Sequence, residues 1–510
     1  MRQRVFRKLL KRILGRLRMP RRRVAAFAVI LLLSFIVYAS TFVVSYGELL
    51  RAADPLARTD VARLTTVQVQ RVHEIRGVAQ LQSVVRVATE RGFVVSIAGS
   101  RHSQGGHTYA EGGVVLDMRG FNRIRDVDTT AMTVTVESGA TWDDVQRAIA
   151  PQGLAIKVMQ SSNVFTVGGT LAANAHGRDV GTTQVIETVE RFRLLLADGR
   201  AVEVSRDENA ELFSLVIGGY GLYGVILDVT LSVTRDELYE QHLVLMEYTE
   251  FPAYVAEQVD PDTGVVLLLG RPSIDPDPDS FLREMVVVTW RRADEGQVGS
   301  FELTEERNVL RDRFLFGLSR RFDWAKSFRW SLQKRFEFGS ARIVSRNNGM
   351  RPPVAPVEFL DYYSRRNTDI LQEYFVPVEN FVPFMDRFRE VLLDGDVNVL
   401  SSTVRYVKPN AMPALAYAPH GDVFSIILVS NVELSDEGQA HAESVTRQLI
   451  DTALEYGGTY YLTYQPYATP EQLHRAYPNA QRAFERKRFY DPTEIFSSQF
   501  YERYGHTRAR

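Results

Sequence analysis

Three glycine-rich stretches carry the clearest chemical signal in this chain. The first, Ala98 to His107, reads "AGSRHSQGGH". Its glycines permit positive φ and close backbone approach, and successive amides in such a turn form an anion nest suited to a pyrophosphate. The second, Ser161 to Gly177, reads "SSNVFTVGGTLAANAHG" and places Gly168, Gly169 and Thr170 at an expected tight turn. After that turn come small residues that would let a flat ligand near the backbone. The third, "GGYGLYGVILDVTLSV" from Gly218, contains a G-x-G-x-x-G at Gly219, Gly221 and Gly224. A dinucleotide fingerprint of that form needs a helix after its glycines. Here an alternating, Val- and Thr-rich strand follows instead, so the Rossmann reading fails. The three stretches together predict a dinucleotide cradle that lacks a Rossmann helix.

Other site chemistries are poorly supported. The nine histidines are scattered, with no H-x-x-x-H and no carboxylate cluster at ligand spacing, so no metal site is expected. There is no cysteine, which excludes disulfides and thiolate ligands and leaves the chain indifferent to an oxidising compartment.

The elements that would hold the turns read as an α+β unit. "VAQLQSVVRVATERG" has helical spacing ending at Gly92, and "FVVSIAG", "GGVVLDM", "AMTVTVESG" and "RFRLLLADGRAVEVS" read as strands. "TWDDVQRAIAPQG" is a capped helix between them. At 510 residues the chain is long enough for two folded bodies. The middle mixes strands such as "LREMVVVTW" and "DVFSIILVS" with helices. One stretch there, "RNVLRDRFLFGLSRRFDWAKSFRWSLQKRFEF", interleaves cations with aromatics and suits either a membrane surface or cap helices with buried rings, the second being favoured.

The formal net charge of −1 hides an asymmetry, for residues 1–23 are rich in Arg and Lys and hold no acid. Val24 to Tyr46 is apolar and long enough to span a bilayer. Retention of the basic side predicts a single-pass anchor with a cytoplasmic N-terminus and an extracytoplasmic, periplasmic-side body. A cleaved signal peptide fits less well, since the run is long and lacks an A-x-A site. Balanced charge elsewhere argues against nucleic acid as a partner.

The ordered set "GSRHS", "GGVVLDM", "VESGATWDDV", "VGGTLAANAHG" and "GGYGLYGVI" resembles the FAD-binding domain of the vanillyl-alcohol oxidase superfamily, the p-cresol methylhydroxylase (PCMH) type. The closing stretches "YGGTYYLTYQPYATPEQLHRAYP" and "RFYDPTEIFSSQFYERY" resemble the family's return to that domain. The resemblance implies a linker at 47–63, an FAD-binding domain at 64–234, a substrate cap of sheet and helices at 235–455 and a returning segment at 456–510. It implies FAD held by Gly99, Ser100, Arg101, His102 and Ser103, by Gly168, Gly169, Thr170, Asn174, His176 and Gly177, and by Gly224, Val225 and Ile226. His102 matches the histidine that alditol oxidases and cytokinin dehydrogenases bond to the flavin; the alternative is a histidine that only hydrogen-bonds within its loop. His107 and His176 are expected to make packing or polar contacts, with His176 close to the isoalloxazine in the family pattern.

On the substrate side the resemblance points to Arg405 in "STVRYVKP", to Glu373 in "LQEYFVP" with Tyr374 beside it, either of which could face substrate, and to Tyr464 as catalytic candidates. Thr403 stands where alditol oxidases have an acid, and Tyr464 where decaprenylphosphoryl-ribose oxidases have a lysine. Glu373 could equally be a strand acid facing solvent, and of the run Tyr460, Tyr461, Tyr464 and Tyr467 strand spacing would let only some face the site. The implied activity is hydride transfer from an alcohol carbon of a sugar, polyol or lactone, free or lipid-linked, to FAD, with oxygen or a quinone as acceptor. A reductase or dehydrogenase acting on C=C or C–N bonds, and a non-catalytic flavin-binding module on the membrane, are the competing expectations.

Overall fold

The structure, a computed structural model, describes residues 56–506 except 260–263, 306–308, 338–341, 352–363 and 365, with isolated positions between 25 and 40. The expected anchor at 24–46 and the basic tail before it lie largely outside the described residues. Among those described, no helix is long and apolar enough to cross a membrane.

From Leu56 onward the chain is one compact α+β unit. Its first part begins with a small parallel sheet in which Val114–Asp117 lies between Arg71–Glu74 and Val95–Ala98. The helix Val78–Arg91 connects two of these strands, burying Leu81, Val85 and Ala88 and stopping where Gly92 turns left-handed at φ 68°. A second, antiparallel sheet runs in the order Ala201–Ser205, Val189–Leu195, Val225–Arg235, Thr133–Glu137, Ile124–Asp128, with Leu154–Ile156 against the far end of Val225–Arg235. The helix Trp142–Ile149 starts at a capping box in which Thr141 and Asp144 satisfy each other's amides.

The second part is an eight-stranded sheet. Four of its strands matter for function, in the spatial order Val265–Pro272, Asn398–Val407, Val423–Glu433, Asn367–Pro377. Their registers align Thr403, Ile427 and Glu373 in one row and Arg405, Ser425 and Phe375 in the next. Because side chains alternate along a strand, these two rows share one face. Gly270 opposes Val404, which sets Arg271 beside Thr403 on that same face. The other face carries Tyr374 and Phe424, whose rings meet Phe384 and Phe388 of the helix Phe381–Asp394 and Phe251 of the helix Phe251–Gln258. That side is sealed by aromatic packing, and the row of polar residues is turned toward the first part of the chain.

The end of the chain pairs with the beginning. Phe496 bridges to Val95, the Val95 amide donates to the Ile495 carbonyl at 2.6 Å, and Ser497 N donates to the Val95 carbonyl at 3.0 Å. Phe484, Phe500 and Tyr501 join the main core from this segment.

Two local expectations are corrected. Gly168, Gly169 and Thr170 lie in a short helix, Val167–Ala173, and not in a tight turn. Thr166 caps it by accepting from Gly169 N, and Gly168 lies so close to Ser138 that a Cβ would sit 2.8 Å from the Ser138 Cβ. Glycine is a poor helix former, but here close packing against the neighbouring backbone decides the conformation. The tyrosine run likewise leaves the sheet after Thr459–Tyr460, so period-two alternation does not govern Tyr461 and Tyr464.

Candidate active site

The three glycine stretches converge on one cleft of about 810 Å³, counted to its open mouth. Gly99 and Ser103 line it from the first stretch, Gly168, Gly169, Ala172 and Ala173 from the second, and Gly221, Gly224, Val225 and Ile226 from the third. Gly221 and Gly224 have φ of 77° and 146°, so a side chain at either would be strained. A Cβ on Gly221 would meet only Ile97 Cδ1, at 3.6 Å, and one on Gly169 only Thr166 Oγ1, at 3.1 Å. Added methyls there would take their room from the cleft. The buried Ser138 Oγ lines the same wall and has no protein partner, as a polar ligand would require. A mostly apolar cleft floored by glycines and edged by an orphaned hydroxyl fits FAD.

Next to the cleft wall formed by Ala173 and Thr463, the sheet face gathers a buried polar cluster. The Glu373 carboxylate lies 2.5 Å from His176 Nε2, accepts the Tyr464 hydroxyl at 3.1 Å and also accepts the Ser425 hydroxyl. Glu373 is 3% and His176 2% exposed, which rules out a solvent-facing acid. Burial alone would raise the Glu373 carboxyl, but the opposing effects of His176, Arg405 and Ser425 prevail and hold it below the ordinary carboxylate value. Burial and the same carboxylate push the Tyr464 phenol well above its usual range, so it stays a neutral donor. Arg405 Nη1 donates to the His176 carbonyl at 3.3 Å and its Nη2 to the Ser161 hydroxyl. Tyr461 donates to the Ala173 carbonyl at 2.9 Å, with its ring 5.7 Å from that of Tyr464. Such a constellation can orient an imidazole and move a proton out of contact with water.

Arg405, Tyr464 and Glu373, which are separated by 32 to 91 positions in the chain, are therefore brought together, with His176 between them. Several residues expected around FAD spend their polar atoms on the protein. Ser100 Oγ donates to the Val164 carbonyl at 2.6 Å, and Arg101, at φ 63°, pairs with Asp117. Thr170 Oγ1 accepts from Trp142 at 2.9 Å and lies 3.0 Å from Gln160 Oε1. Asn174 ties Gln184 and the Ile186 amide to the end of its helix. A Cβ at Gly177 would sit 2.7 Å from the Met159 carbonyl, so that glycine answers to the fold. The His102 ring packs at 4.7 Å from Phe165, beside Ser103.

Sequence reasoning missed Ser161 and Ser425, while His107 makes the packing and polar contacts expected of it. His107 lines the cleft, is stacked on Phe500 at 4.9 Å and accepts or donates at 3.1 Å to Ser103. Burial lowers its pKa to about 4, so it is neutral. No motif marks the two serines, because strand register and the return of the chain end decide their neighbours.

Comparison with known proteins agrees with the geometry. Residues 69–205 match the family described as FAD binding domain. An uncharacterized oxidoreductase of the fasciation locus in Rhodococcoides fascians is 32% identical over 36% of this chain and 42% of its own length. Decaprenylphosphoryl-beta-D-ribose oxidase of Mycolicibacterium smegmatis is 31% identical over 31% of this chain and 35% of its own. L-gulonolactone oxidase of Mus musculus is 29% identical over 36% and 40%. The chain spans less than half the length of each of these relatives. The matched residues 69–205 carry the first two of the three glycine stretches that line the cleft, and this part of the chain is similar to the FAD-binding domains of oxidoreductases.

Proposed function

We propose that this chain oxidises an alcohol group of a sugar, polyol or lactone, free or lipid-linked. The observation that carries the reading is the buried Glu373–His176–Tyr464 cluster standing at the wall of the FAD cleft. Bound FAD supplies a hydride acceptor. The protein's part is to orient the alcohol and take its proton. Glu373 fixes the His176 ring through Nε2, and His176 Nδ1 is buried with no protein partner. Nδ1 is therefore the atom to receive the hydroxyl proton, with Glu373 stabilising the imidazolium that forms. Tyr464 and Ser425 keep the carboxylate in place, and the nearby Arg405 cation favours the developing alkoxide. The names of two relatives give decaprenylphosphoryl-ribose and L-gulonolactone as substrates, which supports a sugar-derived alcohol here.

The apolar segment from Val24 to Tyr46 is proposed as a membrane anchor for an extracytoplasmic body, with a quinone or oxygen taking the electrons. His102 is proposed as the covalent attachment point. The test is the visible spectrum of the detergent-solubilised, FAD-loaded protein held without oxygen while polyols, aldoses, lactones and amines are added in turn. Bleaching by one of the first three classes is expected. Bleaching by amines alone would replace this reading with C–N oxidation, and a flavin that no donor reduces would favour a non-catalytic module.

A further inference from the structure

The stretch that interleaves cations with aromatics folds as two helices, Val309–Ser319 and Asp323–Glu337, and carries much of its polarity in reverse. Several of its cations are spent on the body of the protein. Arg320 pairs with Asp369, Lys334 pairs with Glu284 at 2.9 Å, and Arg329 donates to the Leu400 carbonyl. Trp330 is buried and donates to Glu284 at 2.8 Å, and Phe316 is buried as well, as caps with buried rings require. The other rings turn outward. Phe314, Phe322, Trp324 and Phe328 are 43%, 45%, 59% and 48% exposed, and Phe322 and Trp324 stack with centroids 5.8 Å apart. On the second helix Trp324, Phe328, Ser331 and Arg335 are all exposed and recur at helical spacing, so its outward stripe begins with two rings and ends with a cation. Single exposed apolar residues are ordinary, but a group of rings on helices pinned by buried bonds marks a surface that meets something.

We infer that this helix pair is a docking surface for an anionic lipid bilayer, with the rings of Phe322, Trp324 and Phe328 in the interface and Arg321 and Arg335 at the headgroups. The inference rests on the membrane anchor proposed above and adds a second membrane contact to it. Aromatic rings favour the boundary between headgroups and acyl chains, and cations beside them meet anionic headgroups. The charge fits that partner. Residues 309–337 hold eight Arg and Lys against three acids, and Arg321 and Arg335 are exposed. Asp323, the acid among the described side chains of the pair, is matched by Lys326 at 3.3 Å. The proposed anchor ends at Tyr46, ten residues before Leu56, and that length of chain reaches at most about 35 Å, so an anchored body works beside a bilayer. Phe316 packs on Leu371, Leu400 and Val429, and Leu371 opposes Val429 in the row next to that of Glu373 on the same sheet face. A bilayer seated on these helices would lie on the same side of the sheet as the proton-transfer cluster, where a lipid-linked alcohol would arrive.

The four tryptophans make the test direct, since Trp142, Trp290 and Trp330 are buried and Trp324 is the one that lipid can reach. The FAD-loaded full chain is reconstituted with vesicles of phosphatidylglycerol and phosphatidylcholine whose acyl chains are brominated or not. Co-flotation with the vesicles reads the anchor, and quenching by bromine reads the docking surface. The emission of Trp324, taken as the difference between wild type and Trp324→Phe, should fall at least about twofold in brominated vesicles, and less when phosphatidylglycerol is left out. Phe322→Ser combined with Phe328→Ser should restore that emission with FAD content and melting temperature unchanged. A chain that floats with the vesicles while Trp324 stays unquenched would overturn the docking surface and leave the anchor standing. Acrylamide then tells what covers the rings instead: water if it quenches Trp324, a second copy or another protein if it does not. A chain that fails to float would sink anchor and docking surface together. Bleaching of the flavin by an alcohol is read separately, so alcohol oxidation survives either failure.

Discussion

The FAD cleft and the polar sheet face lie side by side and are built from opposite materials. The cleft is lined by Gly99, Gly168, Gly169, Gly221 and Gly224 among small, apolar and uncharged side chains, so much of its wall is open backbone. The sheet face is made of long charged side chains from separate strands, held by hydrogen bonds that cross from one part of the chain to the other. A site made of backbone fails when something is added to it. A site made of side chains fails when something is taken away.

The largest effect should therefore come from adding atoms to the cleft. A Cβ at Gly169 would meet only Thr166 Oγ1, at 3.1 Å, and one at Gly221 only Ile97 Cδ1, at 3.6 Å, so the rest of a valine side chain would enter the cleft that both residues line. Gly169→Val and Gly221→Val should yield protein that purifies without FAD and cannot be reloaded, read as absence of the flavin absorption bands. A valine variant that keeps a full complement of FAD would show that the cleft has slack the packing does not suggest.

Taking away from the sheet face should spare the cofactor. Glu373→Gln keeps the shape but loses the charge that orients His176, so kcat should fall by roughly 10²–10⁴ with FAD content unchanged. Tyr464→Phe removes one of the hydrogen bonds to Glu373 and should cost about tenfold. If Glu373→Gln instead released FAD, the cleft and the sheet face would act as one structural unit. His102→Ala separates the regions differently, since it should leave the fold intact but allow FAD to be extracted by acid precipitation. FAD that stays with the acid-precipitated His102→Ala pellet would assign the covalent bond elsewhere.

The same contrast explains what could be read from the sequence. Glycines whose neighbours are strands announce themselves locally, and Gly99, Gly168, Gly169 and Gly224 all line the cleft. The helical state of Val167–Ala173 was not legible, because a long-range contact with Ser138 selects it over glycine's own preference. Arg405, Glu373 and Tyr464 could be picked out only by resemblance. Their meeting depends on a register in which Arg405 opposes Ser425 and Glu373 opposes Ile427, and no local pattern encodes that.

The effect with the least bearing on activity concerns two buried groups, Asp60 and the cleft-lining His107, which titrate in opposite senses. Burial raises Asp60 from 3.8 to about 7, and burial lowers His107 from 6.5 to about 4. Asp60 holds a proton in the folded chain that the unfolded chain releases above its own pKa, so its contribution is fullest at low pH and is lost as pH rises toward 7. His107 stays neutral where the unfolded chain becomes charged, so its contribution is full above 6.5 and is lost as pH falls toward 4. Between pH 4 and 6.5 the two slopes oppose each other, because folding takes up one proton and releases one. Asp60→Asn should unmask the His107 slope, with unfolding free energy falling by about 3 kcal/mol more than in the wild type from pH 6.5 to 4. Urea unfolding at those two pH values measures it. An Asp60→Asn protein whose stability follows the wild-type profile would mean that the two groups do not compensate, and that the floor of the cleft owes its pH tolerance to backbone alone.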